Sequence, residues 1–377
     1  MALESRLRPA QPVDLDGVDR ILLAQVALQL EQHPDTSAPL TIAIVNAQSA
    51  QFLRELKLLA PAAAFLVHND LLHHQVLLDD AGLATRCQPD LASGLVYAPE
   101  LFTGTDIVVA RLPKSLDALA SLASSAAQHL GPSAVFLGGA RQKYLVPAQS
   151  TTLAKSFGSV QASLGQFKSR VLIASDPVPG TVASPAVTAQ LADIDLAVGA
   201  FGGVFAGTKL DIGTRLLIAT IPDLLADYAE AKDFVDLGCG TGLLSAYLVR
   251  HREEARVRAS DLSRIAVQST LLTAQLNGVA DRVVVTQDNA LAGLPSQSAD
   301  VVVCNPPFHA STTLETDTAR TMFEQAARVL RPGGEMWTVF NTPLKYGSAL
   351  SRAVGPTEVI AQNSKFQVTR STKSFTA

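Results

Sequence analysis

The sequence predicts an α/β protein built from two tandem domains of the same kind. Short apolar runs alternate with amphipathic segments in both halves of the chain, which is typical of parallel strands joined by crossover helices. The 377 residues exceed the usual length of one domain. In addition, the segment that begins at Asp106 resembles the one that begins at Asp300, and a helix is predicted after each. Together these observations predict a duplicated fold.

The first half shows the alternation in order along the chain. Apolar residues at helical spacing predict helices at 13–32, 71–81 and 115–129. Short apolar runs predict strands at 41–45, 64–67, 106–110, 135–137 and 171–174. Prolines and a glycine at 175–180 then predict a loop, because proline interrupts both helices and strand ladders. We therefore place a first domain at 1–180 and a second at 195–377.

The second half repeats the alternation more clearly. It contains predicted helices at 243–250, 263–277 and 315–330. Seven strands are predicted, at 234–237, 256–259, 283–286, 300–304, 334–340, 358–361 and 366–369. The last two follow each other closely and form a returning pair. This half therefore predicts a doubly wound, seven-stranded sheet with an antiparallel edge.

Composition and charge exclude several classes of protein. With 47% hydrophobic residues the chain can bury a full core, and a wholly disordered chain is excluded. The net charge of −4 arises in the first half, whereas basic and acidic residues balance from residue 196 onward. Nucleic acid would therefore have to bind a local patch, such as the basic stretch after Asn341.

Cysteine usage and hydropathy predict the compartment. The three cysteines are widely spaced and form neither a disulfide framework nor a metal site. No apolar run reaches the length of a membrane span, and the N-terminus lacks the layout of a signal peptide. We therefore expect a cytoplasmic protein with no membrane partner and no bound metal.

The strongest local signal is a glycine-rich loop after the first strand of the second half. Gly238, Cys239, Gly240 and Gly242 lead into the next helix, and glycines allow both a sharp turn and close approach of a ligand. The third glycine comes one residue too early for a dinucleotide fingerprint. The acid at Asp236 would also repel a pyrophosphate and suits a ligand with a cationic amine. A purely structural turn is the alternative.

Polar residues follow the next two strands. Asp261, with Leu262 after it, could accept both hydroxyls of a ribose or could instead cap the following helix. Asp288 and Asn289 could bind the amino edge of an adenine, although both residue types are also common in turns. The pairing of Asp261 with the glycine loop favours a nucleoside ligand.

The turn Asn305-Pro306-Pro307-Phe308 indicates the reaction. Its prolines make the backbone rigid and remove two N–H donors. The Asn305 amide oxygen and the Pro306 carbonyl oxygen can then accept both hydrogens of an –NH₂ group. Phe308 can stack on the planar ring that carries this amine. His309 is the nearest titratable side chain, with either a structural role or a part in the reaction.

The glycine loop, the aspartate after the next strand and the Asn-Pro-Pro-Phe turn together resemble S-adenosylmethionine-dependent methyltransferases of the Rossmann-like class. The Asn-Pro-Pro-aromatic turn is similar to that of members that methylate amino nitrogens. The flanking segments 203–215 and 359–366 resemble the ribosomal RNA guanine-N2 methyltransferases, whose first domain has lost its cofactor site. The specific motifs cover residues 203–370.

This resemblance implies S-adenosylmethionine as cofactor and methyl transfer to the N2 amine of a guanine in ribosomal RNA. It implies a lid over the cofactor at 203–205 and 210–211, although Asp211 alone could be a helix cap. The implied cofactor-binding residues are Asp236, Gly238, Cys239, Gly240, Asp261, Leu262, Asp288, Asn289 and Asn305. The implied catalytic residues are Asn305, Pro306 and Phe308, with Pro307, Phe308 and His309 binding the substrate.

The first half lacks both chemical loops. Residues 44–50 replace the glycine loop and contain no glycine, and Arg111-Leu112-Pro113-Lys114 replaces the Asn-Pro-Pro-Phe turn. We therefore expect the first domain to be non-catalytic. Arg111 and Lys114, together with Lys365 near the end of the chain, are candidate contacts to RNA.

Two other functions stay open at this point. The chain could methylate another amino group, in protein glutamine or DNA adenine, or it could be a non-catalytic protein that binds RNA or assists assembly. The expected partner is ribosomal RNA or a pre-ribosomal particle, bound by a monomer. The sequence does not distinguish small-subunit from large-subunit RNA.

Overall fold

The computed structural model describes residues 15–32, 39–79, 84–180, 186–307 and 313–374. The chain divides into two compact units, Met1–Pro185 and Ala186–Ala377. Each unit contains a seven-stranded sheet with helices between its strands. Across the described ranges, no helix is both long and apolar enough to cross a membrane.

Five strands of the first unit pair in parallel, and the last two extend the sheet through antiparallel pairing. Its helices are α1 (Gly17–Gln32), α2 (Ala50–Leu59), α3 (Leu72–Asp79), α4 (Leu116–His129) and α5 (Pro147–Leu153). Its strands are β1 (Thr41–Val45), β2 (Ala64–His68), β3 (Thr85–Arg86), β4 (Ile107–Arg111), β5 (Val135–Arg141), β6 (Phe157–Ala162) and β7 (Ser169–Pro177). The strand order is β3-β2-β1-β4-β5-β7-β6, with β7 antiparallel to both of its neighbours.

The second unit adds a hairpin to the same plan. Its helices are α6 (Ile212–Asp227), α7 (Leu243–His251), α8 (Arg264–Leu276), α9 (Thr313–Val329) and α10 (Gly347–Ala353). The hairpin consists of β8 (Val187–Leu191) and β9 (Leu196–Ala200). The sheet contains β10 (Asp233–Leu237), β11 (Arg256–Asp261), β12 (Val283–Gln287), β13 (Ala299–Cys304), β14 (Leu330–Asn341), β15 (Thr357–Gln362) and β16 (Phe366–Thr372).

The strand order of the second sheet is β12-β11-β10-β13-β14-β16-β15, which repeats the order of the first. The first five strands in this order, β12, β11, β10, β13 and β14, each pair in parallel with the next. Strand β16 pairs antiparallel with both β14 and β15. The predicted fold class, two tandem Rossmann-like domains with a seven-stranded sheet in the second, is therefore confirmed.

The central strand β13 shows why the sheet is buried on both faces. Its side chains alternate between two apolar clusters, as expected for a strand with a period of two residues. Val301 and Val303 pack in the cluster that contains Phe234, whereas Val302 packs with Phe323 of α9 on the opposite face. A continuous apolar strand covered by helices on both faces is the normal core of a parallel sheet.

An aspartate at the start of the central strand has the same task in both units. The Asp106 carboxylate accepts a hydrogen bond from the Thr41 N–H at 2.8 Å. The Asp300 carboxylate accepts one from the Asp233 N–H at 2.9 Å. Each aspartate thus holds the start of the neighbouring strand, and this shared task explains the internal similarity seen in the sequence.

The structure corrects two features of the sequence prediction. Residues 175–177 belong to strand β7 rather than to a loop, because β7 pairs along its length with β6 as far as the pair Phe157 and Pro177. Helix α6 was not predicted. Its sequence contains Pro222, which argues against an uninterrupted helix, yet the helix continues through this residue.

Candidate active site

A cavity of about 330 Å³ lies where the carboxyl ends of β10, β11 and β13 meet the start of α6. In open α/β sheets ligands bind at this edge, where the strand order reverses. The volume is within the range of small-molecule sites. The structure brings ten predicted residues together in its wall: Gly238, Cys239, Gly240, Asp261, Leu262, Asp288, Asn289, Asn305, Pro306 and Pro307.

The glycine loop follows β10 and needs its glycines. Gly238, Gly240 and Gly242 have φ angles of 77°, 55° and 76°, in the region that favours glycine. The backbone N–H groups of Gly238 and Cys239 donate to the Ser260 carbonyl oxygen at 2.8 and 3.0 Å. The loop is therefore tied to the end of β11 before any ligand binds.

Two of these glycines face different surroundings. A Cβ atom at Gly242 would lie 2.7 Å from the Thr270 side chain, so the close packing against α8 excludes any larger residue. A Cβ atom at Gly240 would meet nothing within 4 Å. Gly242 thus serves packing, whereas Gly240 leaves open space beside the cavity for a ligand.

Asp261 joins the glycine loop to the next helix. One carboxylate oxygen accepts from the Gly240 N–H at 3.0 Å, and the other accepts from the Ser263 N–H at 2.9 Å. Ser263 is the residue that caps α8. Because each carboxylate oxygen can accept more than one hydrogen bond, Asp261 can also accept from ribose hydroxyls.

Asp288 shapes the third side of the cavity. Its two carboxylate oxygens accept from the N–H groups of Asn289 at 2.7 Å and Gly293 at 2.9 Å. This carboxylate therefore fixes the turn after β12, and the turn carries Asn289 into the cavity wall.

Asp236, which the resemblance implies as a cofactor-binding residue, is not among the described residues that line the cavity. Its side chain is fully buried, and one oxygen accepts from the Ser245 hydroxyl at 2.6 Å and from the Ser245 N–H at 3.1 Å. Burial raises the pKa of Asp236 to about 6, although these hydrogen bonds oppose the shift. Asp236 therefore ties the end of β10 to the first turn of α7.

Asn305 presents an unsatisfied acceptor at the end of β13. Its Nδ2 group donates to the Thr214 hydroxyl oxygen at 2.9 Å. Its Oδ1 atom is buried and has no hydrogen-bond partner among the described residues. A buried polar atom without a partner is costly, so the site is prepared for a ligand that brings an N–H or O–H donor.

The rest of the Asn-Pro-Pro-Phe turn is described only in part. Pro306 and Pro307 line the cavity and supply no backbone N–H donor to it. The predicted residues Phe308 and His309 lie outside the described residues.

The start of α6 completes the rim of the cavity. The Asp211 carboxylate caps this helix by accepting from the N–H groups of Gly213 at 2.9 Å and Thr214 at 3.3 Å. Exposed Phe205 and Lys209 precede it and also line the cavity. Sequence reasoning missed Thr214, although an aspartate before an apolar run is a normal signal for the start of a helix.

None of the three predicted RNA contacts is among the described residues that line the cavity. Arg111 is 13% exposed and forms ion pairs with Asp16 at 2.6 Å and with buried Asp19 at 2.5 Å. These ion pairs give Arg111 a structural role, and its contact with RNA stays a prediction. Lys114 is exposed, with its ammonium 5.2 Å from the centre of the Tyr144 ring.

Near the end of the chain, exposed Lys365 lies in the turn between β15 and β16. Arg370, another basic residue of this stretch, forms ion pairs with Asp227 and Glu358. Lys114 and Lys365 therefore remain the exposed candidates for RNA contact among the three predicted residues.

Two family models match the chain, one for each unit. The model described as "RLMG N-terminal domain" matches residues 19–178, and the model described as "Methyltransferase small domain" matches residues 195–370. The boundary between the two matches falls in the same part of the chain as the boundary between the compact units.

Curated relatives and a solved structure match as well. "Ribosomal RNA large subunit methyltransferase G" of Shewanella amazonensis is 35% identical over 269 residues, which cover 71% of this chain and 69% of the relative. The protein of that name from Pseudomonas putida (strain GB-1) is 33% identical and covers 95% of this chain and 93% of its own length.

The solved structure is that of the T. thermophilus 16S rRNA N2 G1207 methyltransferase (RsmC), in complex with AdoMet and guanosine. It matches with a TM-score of 0.76 and 19% identity, covering 97% of this chain and 94% of that one. This likeness shows a shared fold.

Proposed function

Because the chain belongs to the ribosomal RNA large subunit methyltransferase G family, we propose that it methylates the N2 amine of a guanine in large-subunit ribosomal RNA. The observation that carries this proposal is the buried Asn305 Oδ1 atom, which has no partner among the described residues. An exocyclic amine has the N–H donor that this acceptor requires. The methyl donor is S-adenosylmethionine.

The cavity suits this methyl donor, which supplies an electrophilic methyl group on a sulfonium ion when bound. Gly240 leaves room for the ligand, and Asp261 is placed to accept from ribose hydroxyls. Asn289, in the turn that Asp288 fixes, is placed for the adenine edge. The carboxylates of Asp211, Asp261 and Asp288 line the same cavity, and their negative charge favours a cationic ligand.

Asn305 and Pro306 orient the guanine amine for methyl transfer. A guanine amine is a poor nucleophile because its lone pair is delocalised into the ring. When the Asn305 Oδ1 atom and the Pro306 carbonyl oxygen accept its two hydrogens, the nitrogen is held with its lone pair available for the methyl group. Such alignment can lower a barrier by up to ~7–11 kcal/mol. The extra proton can leave to water after transfer, so the site needs no strong base.

The proposal is tested with ribosomal RNA from a strain that lacks the gene for this chain. The RNA, both free and in pre-ribosomal particles, is incubated with the purified chain and S-adenosylmethionine, and its nucleosides are analysed by mass spectrometry. We expect new N2-methylguanosine at one position of the large-subunit RNA. Methylation of small-subunit RNA alone, or of protein glutamine or DNA adenine instead of RNA, would contradict the proposal.

This function places the chain in the cytoplasm, where ribosomal RNA or a pre-ribosomal particle is its partner. We propose that a monomer is active, because the residues that line the described cavity all come from the second unit of one chain. Sedimentation of the active chain at working concentration checks the monomeric state.

A further inference from the structure

Thr214 contacts the amide group that the proposed reaction depends on. Its hydroxyl oxygen accepts from Asn305 Nδ2 at 2.9 Å, although the two residues are 91 positions apart in the sequence. Thr214 is 9% exposed and lines the cavity. It lies in the first turn of α6, where the Asp211 carboxylate accepts from its backbone N–H at 3.3 Å. The hydroxyl is therefore held in place by a capped helix.

An asparagine amide has one acceptor end and one donor end. Only the oxygen end can bind the hydrogens of a target amine, because the nitrogen end would bring two sets of donors together. The contact with Thr214 occupies the nitrogen end and leaves the Oδ1 atom for the substrate. Without the hydroxyl, the Nδ2 group would be buried without this acceptor, and the amide would gain by rotating towards other partners.

We propose that Thr214 is a positioning residue, which holds the Asn305 side chain with its amide oxygen presented to the amine that is methylated. This inference rests on the proposed function and adds a residue to the site. Thr214 is not required to touch the methyl donor or the guanine for this role.

The test compares three variants of the full chain. Thr214→Val keeps the shape of the side chain and removes the hydroxyl, whereas Thr214→Ser keeps the hydroxyl. Thr220→Val is the matched control, because Thr220 is also buried in α6 but donates its hydroxyl hydrogen to the Leu217 carbonyl oxygen within the helix. Methyl transfer to ribosomal RNA, affinity for S-adenosylmethionine and thermal unfolding are measured for each.

We expect Thr214→Val to lower kcat about tenfold, the effect of losing one ordinary hydrogen bond in the transition state. Affinity for the methyl donor should stay within about twofold of the wild type, since this variant leaves the glycine loop and Asp261 unchanged. Thr214→Ser should restore most of kcat, and Thr220→Val should keep it. In an Asn305→Ala background, Thr214→Val should have no further effect on the residual rate.

The inference is overturned if Thr214→Val keeps the wild-type kcat, or if Thr214→Ser is as impaired as Thr214→Val. It is also overturned if Thr214→Val and Thr220→Val lose activity in parallel with their thermal stability. Failure of the proposed function would give a different result, because the wild-type chain itself would then leave ribosomal RNA unmethylated.

Discussion

After strand β1 the first unit continues into residues 46–49, which contain no glycine, whereas the second unit follows the equivalent strand β10 with three glycines at positive φ. The two strands have the same position in sheets of the same order. The strand order of the sheet thus does not depend on the sequence of this loop, since the same order occurs with and without glycines. Only the glycine loop lets a ligand approach the backbone closely.

The ends of β4 and β13 differ in the same way. β4 ends at Arg111, whose charge is neutralised by Asp16 and Asp19. β13 is followed by Asn305, whose Oδ1 atom has no partner in the described part of the chain. At this strand end the first unit pairs its arginine with two aspartates, whereas the second unit leaves the buried Asn305 Oδ1 acceptor without a partner among the described residues. This difference is what we expect if only the second unit binds an amine substrate.

The largest expected effect comes from removing that acceptor. Asn305→Ala should lower kcat for RNA methylation by about 10²–10³-fold, similar to the loss of one preorganised transition-state group elsewhere. Binding of S-adenosylmethionine, measured by calorimetry, should change by less than about threefold. Loss of donor binding with normal chemistry at saturation would contradict the assigned role.

Arg111→Ala should act on stability and not on chemistry. It leaves the buried carboxylate of Asp19 without its partner, and breaking a buried ion pair of this kind costs about 3–5 kcal/mol of unfolding free energy. Arg141→Ala is the control, because Arg141 is 51% exposed and lies 4.0 Å from Asp16. Urea unfolding measures both. Weaker RNA binding by Arg111→Ala at unchanged stability would instead favour the RNA contact predicted from sequence.

Substitutions at two glycines of the same loop should separate effects on folding stability from effects on donor binding. Gly242→Ala places a methyl group 2.7 Å from Thr270 at a positive φ, so we expect a loss of about 2–4 kcal/mol in unfolding free energy. Gly240→Ala meets no atom within 4 Å and should cost about 1 kcal/mol, but its methyl group enters the ligand space and weakens donor binding. Equal losses of stability would show that Gly240 also serves packing.

A further expected effect concerns the pH dependence of stability. The pKa of Asp236 is about 6 in the folded chain, against 3.8 for an ordinary aspartate. Between these values the folded state binds more protons than the unfolded state, so the unfolding free energy falls as pH rises from about 4 to about 6. Asp236→Asn should lack this part of the pH dependence. Identical stability profiles for both proteins would contradict the shifted pKa.

The sequence predicts the parts of the site that are encoded locally. Gly238 and Gly240 follow an apolar strand directly, and Asn305 is followed by two prolines, so each motif is visible in a short window. The contact between Thr214 and Asn305 is not visible in this way, because it joins two elements 91 positions apart. The ion pairs of Arg111 are hidden for the same reason, with Asp16 lying 95 positions earlier. Local sequence motifs thus predict these loops, whereas the tertiary fold determines which residues the loops contact.

The central claim is that the second unit alone carries a donor site. Calorimetric titration of the full chain with S-adenosylmethionine tests it most directly, with Gly240→Leu as the variant that fills the ligand space. We predict one equivalent of donor bound per chain, and none bound by Gly240→Leu. A second equivalent in the wild type, or unchanged binding by Gly240→Leu, would contradict the account.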